Sequence, residues 1–216
     1  MSIIQNYINI KNEIKNLNPN TKLIVVSKSQ DIERIKILLD YGHLDFGENK
    51  IQEAIVKWST LLSNYKNINL HLIGKLQSNK AKDAFNIFNF IHTLDNEKLA
   101  KILSNLEEVN NKKINYFVQV NIGDEPQKNG IIKSKVSDFI KYCKFDLKLN
   151  ILGLMCLPPI NENPDLYFKK LKEFAINNKL KDLSMGMSAD YKAAATLGAT
   201  YLRIGTSIFG KRSNQF

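Results

Sequence analysis

The sequence predicts an α/β fold, a single (β/α)8 barrel of the TIM type spanning residues 1–216, with an extra helix at its N-terminus. Three observations point there. Short strand-like runs recur eight times along the chain. Helical patterns separate them, and each strand–helix unit takes roughly 20–30 residues, as an alternating barrel requires. A doubly wound sheet is the competing architecture, but it uses fewer strands in a chain of this length. No linker, low-complexity stretch or internal repeat marks a second domain.

The opening segment "MSIIQNYINIKNEIKNL" has apolar positions interrupted by Asn, Gln and Lys. It is too polar for a signal peptide or a membrane span and reads as an amphipathic helix. In "KLIVVSK", residues 22–28, four apolar residues run together from Leu23 to Val26. Such a run suits a strand buried on both faces of a parallel sheet. "DIERIKILLDYG" follows as a helix, with Ile32, Ile35, Leu38 and Leu39 on one face, Asp31 as N-cap and Gly42 just past its end. Strands are then predicted at 43–47, 70–74, 90–93, 116–121, 151–157, 183–187 and 201–205, after the first at 23–27. The intervening helices fall at 49–62, 78–85, 95–110, 134–144, 164–178 and 189–198.

Apolar residues make up 44% and charged residues 24%, ordinary for a globular protein. The formal charge is +10, but the lysines are scattered, without an arginine block or zinc-finger spacing. Solvated lysine faces explain that charge better than nucleic-acid binding. Cys143 and Cys156 lack CxxC spacing, which points to a reducing cytoplasmic compartment. His43, His71 and His92 share no metal-ligand spacing, so no metal is expected.

Barrel sites lie at the C-terminal ends of the strands. Those ends collect Lys28, Glu48, Asn49, Gly74, Asn121, Met155, Ser188 and Arg203 to Thr206. Lys28 shares strand parity with Ile24 and Val26, so one orientation sends all three into the lumen. Near apolar walls a lysine favours the neutral amine that attacks an aldehyde; otherwise its head simply reaches water. Ser188 precedes an Ala-rich helix, and the last strand runs into Gly205-Thr206. Separately these are an N-cap and a turn; at two adjacent strand ends they form a candidate phosphate cradle. "GTSIFGKR" matches a P-loop except at Arg212, and a following helix is not expected, which argues against a nucleoside triphosphate site. Arg203, inside an apolar strand, needs an acceptor: either a barrel carboxylate or the ring nitrogen of a bound heterocycle.

An aldehyde-accepting lysine, a phosphate cradle and a ring-nitrogen partner together describe pyridoxal 5′-phosphate. The stretches "VVSKS", "FGENKIQE", "HLIGKLQSNK", "VNIGDEPQKNGI", "LGLMCLP", "SMGMSAD" and "RIGTSIFGKR" occur in order over nearly the whole chain. In these the sequence resembles the pyridoxal phosphate homeostasis proteins, relatives of the alanine racemase barrel domain.

The resemblance implies that Lys28 carries the cofactor as an internal aldimine. It places the phosphate at Ser188 with the amides of Gly205 and Thr206, and Arg203 opposite the pyridine nitrogen. Asn49 would line the ring, although it also reads as an N-cap with Gln52 completing a capping box. Met185 and Met187 stand either near the cofactor or in the core, and Lys128 of "QKNG" is expected at the mouth. Two positions depart from the family pattern, Gln30 where a second basic residue is common and Lys50 where a tyrosine is.

The implied function is to hold and hand on pyridoxal phosphate in the cytoplasm without robust catalysis. Apo forms of enzymes that use this cofactor are the expected recipients; neither nucleic acid nor membrane is expected, and the chain should be a monomer. The alternative is a racemase or decarboxylase. Racemisation, however, needs acid–base groups on both faces of the substrate, one of which comes from an additional β domain in the racemase relatives.

Overall fold

In the computed structural model, which describes residues 2–210, eight parallel strands pair in chain order and close into a barrel. They are β1 (Lys22–Val26), β2 (Asp45–Glu48), β3 (Asn69–Leu72), β4 (Phe90–Leu94), β5 (Asn115–Gln119), β6 (Asn150–Met155), β7 (Asp182–Met187) and β8 (Tyr201–Ile204). Closure comes from β1, whose Val25 sits opposite Phe46 on one side and Ile204 on the other. It leaves no strand edge exposed. The predicted barrel is therefore the observed one.

The helices are α1 (Ile3–Leu17), α2 (Ile32–Asp40), α3 (Ile51–Asn64), α4 (Ala81–Ile87), α5 (Glu97–Asn110), α6 (Val136–Lys141), α7 (Pro164–Asn177), α8 (Tyr191–Thr196) and the short α9 (Thr206–Phe209). Strand alternation splits the core in two. Leu23 and Val25 point outward into the layer between sheet and helices. Ile24 points inward, against Phe90, Phe117, Met155 and Tyr201. Helix α1 starts from Ser2, whose hydroxyl accepts from the Gln5 amide, and buries Tyr7, Ile10 and Ile14 against its neighbours α2, α8 and α9. Among the described residues no helix is long and apolar enough to cross a membrane.

Several boundaries differ from prediction, each for a local reason. Residues 43–44 fall before β2, in the turn that closes α2: Gly42 takes a left-handed φ of 89°, and the His43 amide donates back to the Leu38 carbonyl at 2.9 Å. Strand β5 stops at Gln119 because Asn121 pairs instead with Ile131 of the following loop. The helix expected at 134–144 is α6 between a 3₁₀ turn at Lys133–Lys135 and a wide π turn at Tyr142–Asp146. Lys211 and Arg212, part of the phosphate-loop comparison, lie outside the described residues.

Candidate functional site

Lys28 stands two residues beyond β1, and both of its neighbours are tied down. Ser27 is buried; its amide donates to the Gly47 carbonyl at 3.0 Å and its hydroxyl to Glu48 Oε1 at 2.7 Å. Glu48, fully buried at the end of β2, also receives Trp58 Nε1 at 3.0 Å and the Lys57 ammonium at 2.7 Å. Lys57 reaches down from α3 to the Ser27 carbonyl at 2.7 Å and to Glu53 at 2.9 Å. Glu53 in turn accepts the amide of Ser29, which holds a left-handed φ of 57°. Two glutamates and one buried lysine thus clamp the loop on either side of Lys28. Sequence reasoning placed Glu48 at a strand end without a role and missed Lys57. The available signal was a lysine on the apolar face of α3, beside Ala54, Trp58 and Leu61.

Because Ile24 points into the lumen, Val26 and Lys28 follow it, and both line a cavity of about 380 Å³ at the C-terminal mouth. Its size lies within the range of small-molecule sites. All six predicted site residues meet there: Lys28, Asn49, Ser188, Arg203, Gly205 and Thr206, with Ile73 and Leu157 supplying apolar wall. Gly205 makes this possible, since a Cβ there would lie 2.9 Å from the Val26 carbonyl oxygen and 3.2 Å from its Cβ. The loop after β8 can therefore lie against the tip of β1. Gly74 does the same for Asn49, whose carbonyl oxygen would be 2.1 Å from an added Cβ.

Several local expectations are corrected. Ser188 is not an N-cap: Asp190 occupies that position before α8, and its carboxylate accepts the Met187 amide at 2.6 Å. Ser188 turns instead toward the start of α9, with its Oγ 3.5 Å from the Ser207 amide. Asn49 does not cap α3; Lys50 does, without a side-chain bond, so the capping box with Gln52 does not form. Asp31 holds the cap position of α2 but makes no side-chain cap bond either. Met185 is buried in the outer layer, and only Met187 lines the cavity. Lys128, beyond the C-terminal end of β5, lines a recess that shares Leu157 with the main cavity, paired with Glu125 at 2.5 Å and donating to the Pro158 carbonyl at 3.1 Å.

Arg203 is 4% exposed. Its guanidinium donates to Ser184 Oγ at 2.6 Å and to the Cys156 carbonyl at 3.0 Å. Among the described residues no carboxylate forms an ion pair with it, which sets aside the barrel-carboxylate alternative. Burial lowers its pKa from the ordinary value, yet a guanidinium remains charged at neutral pH. A desolvated cation therefore faces the same cavity as Lys28. Burial also pushes the thiols of Cys143 and Cys156 up to about 12, which leaves them unreactive.

The family described as "Alanine racemase, N-terminal domain" matches residues 2–213. A pyridoxal phosphate homeostasis protein of Synechocystis is 37% identical over 208 residues, 92% of this chain and 95% of its own. The chain belongs to the pyridoxal phosphate homeostasis family. Another member, from Haemophilus influenzae, is 35% identical over 224 residues, covering 99% of this chain and 94% of the relative. Among solved structures, PipY of Synechococcus elongatus without PLP superposes with a TM-score of 0.90 at 31% identity, over 97% of this chain and all of PipY. PipY with PLP bound gives a TM-score of 0.89 at 30% identity, over the same shares of the two chains. The barrel extends to the alanine racemase of Corynebacterium glutamicum, at a TM-score of 0.73 and 13% identity, over 97% of this chain and 61% of the racemase. At that identity the likeness is one of fold.

Proposed function

We propose that this chain binds pyridoxal 5′-phosphate in the cavity at the C-terminal mouth and serves as a carrier of the cofactor, without robust catalysis of its own. The observation that carries this is the convergence of an amine, a buried guanidinium and a serine–glycine loop on one cavity of about 380 Å³. These donors fit the three polar features of the cofactor. Lys28 supplies an amine to the aldehyde, Arg203 an N–H donor to the ring nitrogen, and Ser188 with the Gly205 and Thr206 amides a cradle for the phosphate. Asn49 lies along the ring. PipY, determined with PLP bound, supports the assignment by relationship.

Attachment is a condensation. Lys28 would hold the cofactor through its amine, and the aldehyde would supply the electrophilic carbon for a covalent link whose formation releases water. Arg203 argues for a carrier rather than a catalyst, because a guanidinium does not hand its proton to the pyridine nitrogen. An unprotonated ring is the weaker electron sink. We further infer a monomer working in the cytoplasm, with apo forms of enzymes that use this cofactor as recipients.

Borohydride reduction of the loaded protein followed by peptide mapping tests the site. The adduct should map to Lys28, and Lys28→Ala should lose the visible absorption band while keeping its circular dichroism. An adduct on Lys50, Lys75 or Lys128 would sink the assignment. A loaded protein that racemised alanine at a typical enzyme rate, on the order of 10 per second, would make it an enzyme instead.

A further inference from the structure

Beneath the cavity, five polar side chains cross the barrel lumen bonded end to end. Asp45 Oδ1, where β2 begins at the opposite mouth, lies 3.2 Å from His71 Nε2. His71 Nδ1 lies 3.0 Å from His92 Nε2, and His92 Nδ1 lies 2.8 Å from Ser184 Oγ. Ser184 Oγ receives Arg203 at 2.6 Å. Both imidazoles are fully buried, His71 stacked on Phe90 and His92 on Phe117, each with ring centres 4.3 Å apart. Holding a cofactor at the mouth does not by itself call for two buried histidines and a serine in the lumen.

The two ends dictate the order of protons between them. A carboxylate only accepts and a guanidinium only donates. With neutral imidazoles, His71 must carry its proton on Nε2 to meet Asp45, which leaves Nδ1 as an acceptor. His92 must then donate from Nε2 and accept at Nδ1 from the Ser184 hydroxyl, whose oxygen accepts Arg203. Every bond donates in one sense, from Arg203 toward Asp45. Burial favours the neutral rings, since it lowers the pKa of both histidines, that of His92 well below the ordinary value. The opposite order would turn a ring lone pair toward the carboxylate.

We propose that these side chains form a positioning relay, in which Asp45 sets the direction of a hydrogen-bond chain through His71, His92 and Ser184 that holds the Arg203 guanidinium on the cavity wall. What Arg203 meets in the cavity rests on the cofactor assignment above; the relay itself does not. Asp45 also accepts from Asn69 at 3.1 Å and lies within the field of Lys22, so its charge has local support.

The test uses the full chain with 15N-labelled histidine and no added cofactor, read by long-range 1H–15N correlation at pH 7. His71 and His92 should both be neutral with the proton on Nε2, and a proton on Nδ1 of either overturns the relay without any variant. In Asp45→Ala each order leaves one donor without a partner, so His92, which does not touch Asp45, should become a mixture of both forms. Asp45→Asn keeps an acceptor and should restore the single form. A His92 signal unchanged in Asp45→Ala would also overturn the proposal. Titration with pyridoxal phosphate separates this from the cofactor assignment: no binding alongside the expected tautomers removes the cofactor and leaves the relay standing.

Discussion

Lys57 is a cation placed for structure, whereas Lys28 is the one proposed to carry the chemistry. The Lys57 side chain is 9% exposed against a Glu48 side chain at 0%, with the Ser27 carbonyl and Glu53 completing its coordination. Removing one partner of such a pair leaves a buried charge unmatched, which costs about 3–5 kcal/mol. Lys57→Met should therefore lose about that much stability in urea unfolding, and with it the fixed geometry of the loop carrying Lys28. Lys28→Ala, at a half-buried position facing the cavity, should unfold close to wild type. Equal stability of Lys57→Met and wild type would show that Glu48 finds compensation elsewhere.

At the level of elements, the proposed phosphate cradle lies at the junction of β8 and α9. Gly205 lets the chain approach β1, and the amides opening α9 have no acceptors within their own helix. Hydrogen bonds to a charged group contribute about 1.5–3 kcal/mol each. Pyridoxal, which lacks the phosphate, should bind at least about 100-fold more weakly than its phosphorylated form if two such bonds are lost. Ser188→Ala should cost about tenfold for the phosphorylated ligand and little for pyridoxal. Equal affinities for the two ligands in a titration would place the phosphate elsewhere.

Across the whole molecule, buried imidazoles make stability depend on pH. His43 is held at about 4 rather than 6.5, chiefly by burial, between the Tyr7 hydroxyl and the Asp45 carbonyl. His71 and His92 are lowered in the same direction. Between pH 6.5 and 4 the unfolded chain binds protons that the folded chain refuses, so acidification favours unfolding. The His43 shift alone corresponds to about 3 kcal/mol at its limit. Asp45 and Glu53, both lowered, add a loss of the same sign below their unfolded values. The urea midpoint should hold above pH 7 and fall steadily from pH 6.5 to 4.5; a flat midpoint across that window would show that these rings are accessible to protons.

The order of strands and helices, and the strand ends that bear Lys28, Asn49, Ser188, Arg203 and Gly205, were legible from the sequence alone. Periodicity is a local property, and a barrel brings all C-terminal strand ends to one mouth whatever its side chains. Which face of β1 turned inward was not legible, because the apolar run in "LIVV" is buried on both sides and alternation leaves no polar mark. Nor was the loss of Ser188 as a cap, since Asp190 competes two residues later with equally suitable chemistry. The Glu48–Lys57 clamp and the chain from Asp45 to Arg203 belong wholly to the tertiary structure. Their bonds join residues as far apart as His92 and Ser184, 92 positions in the chain, and a buried polar group is satisfied only by whatever the fold places beside it.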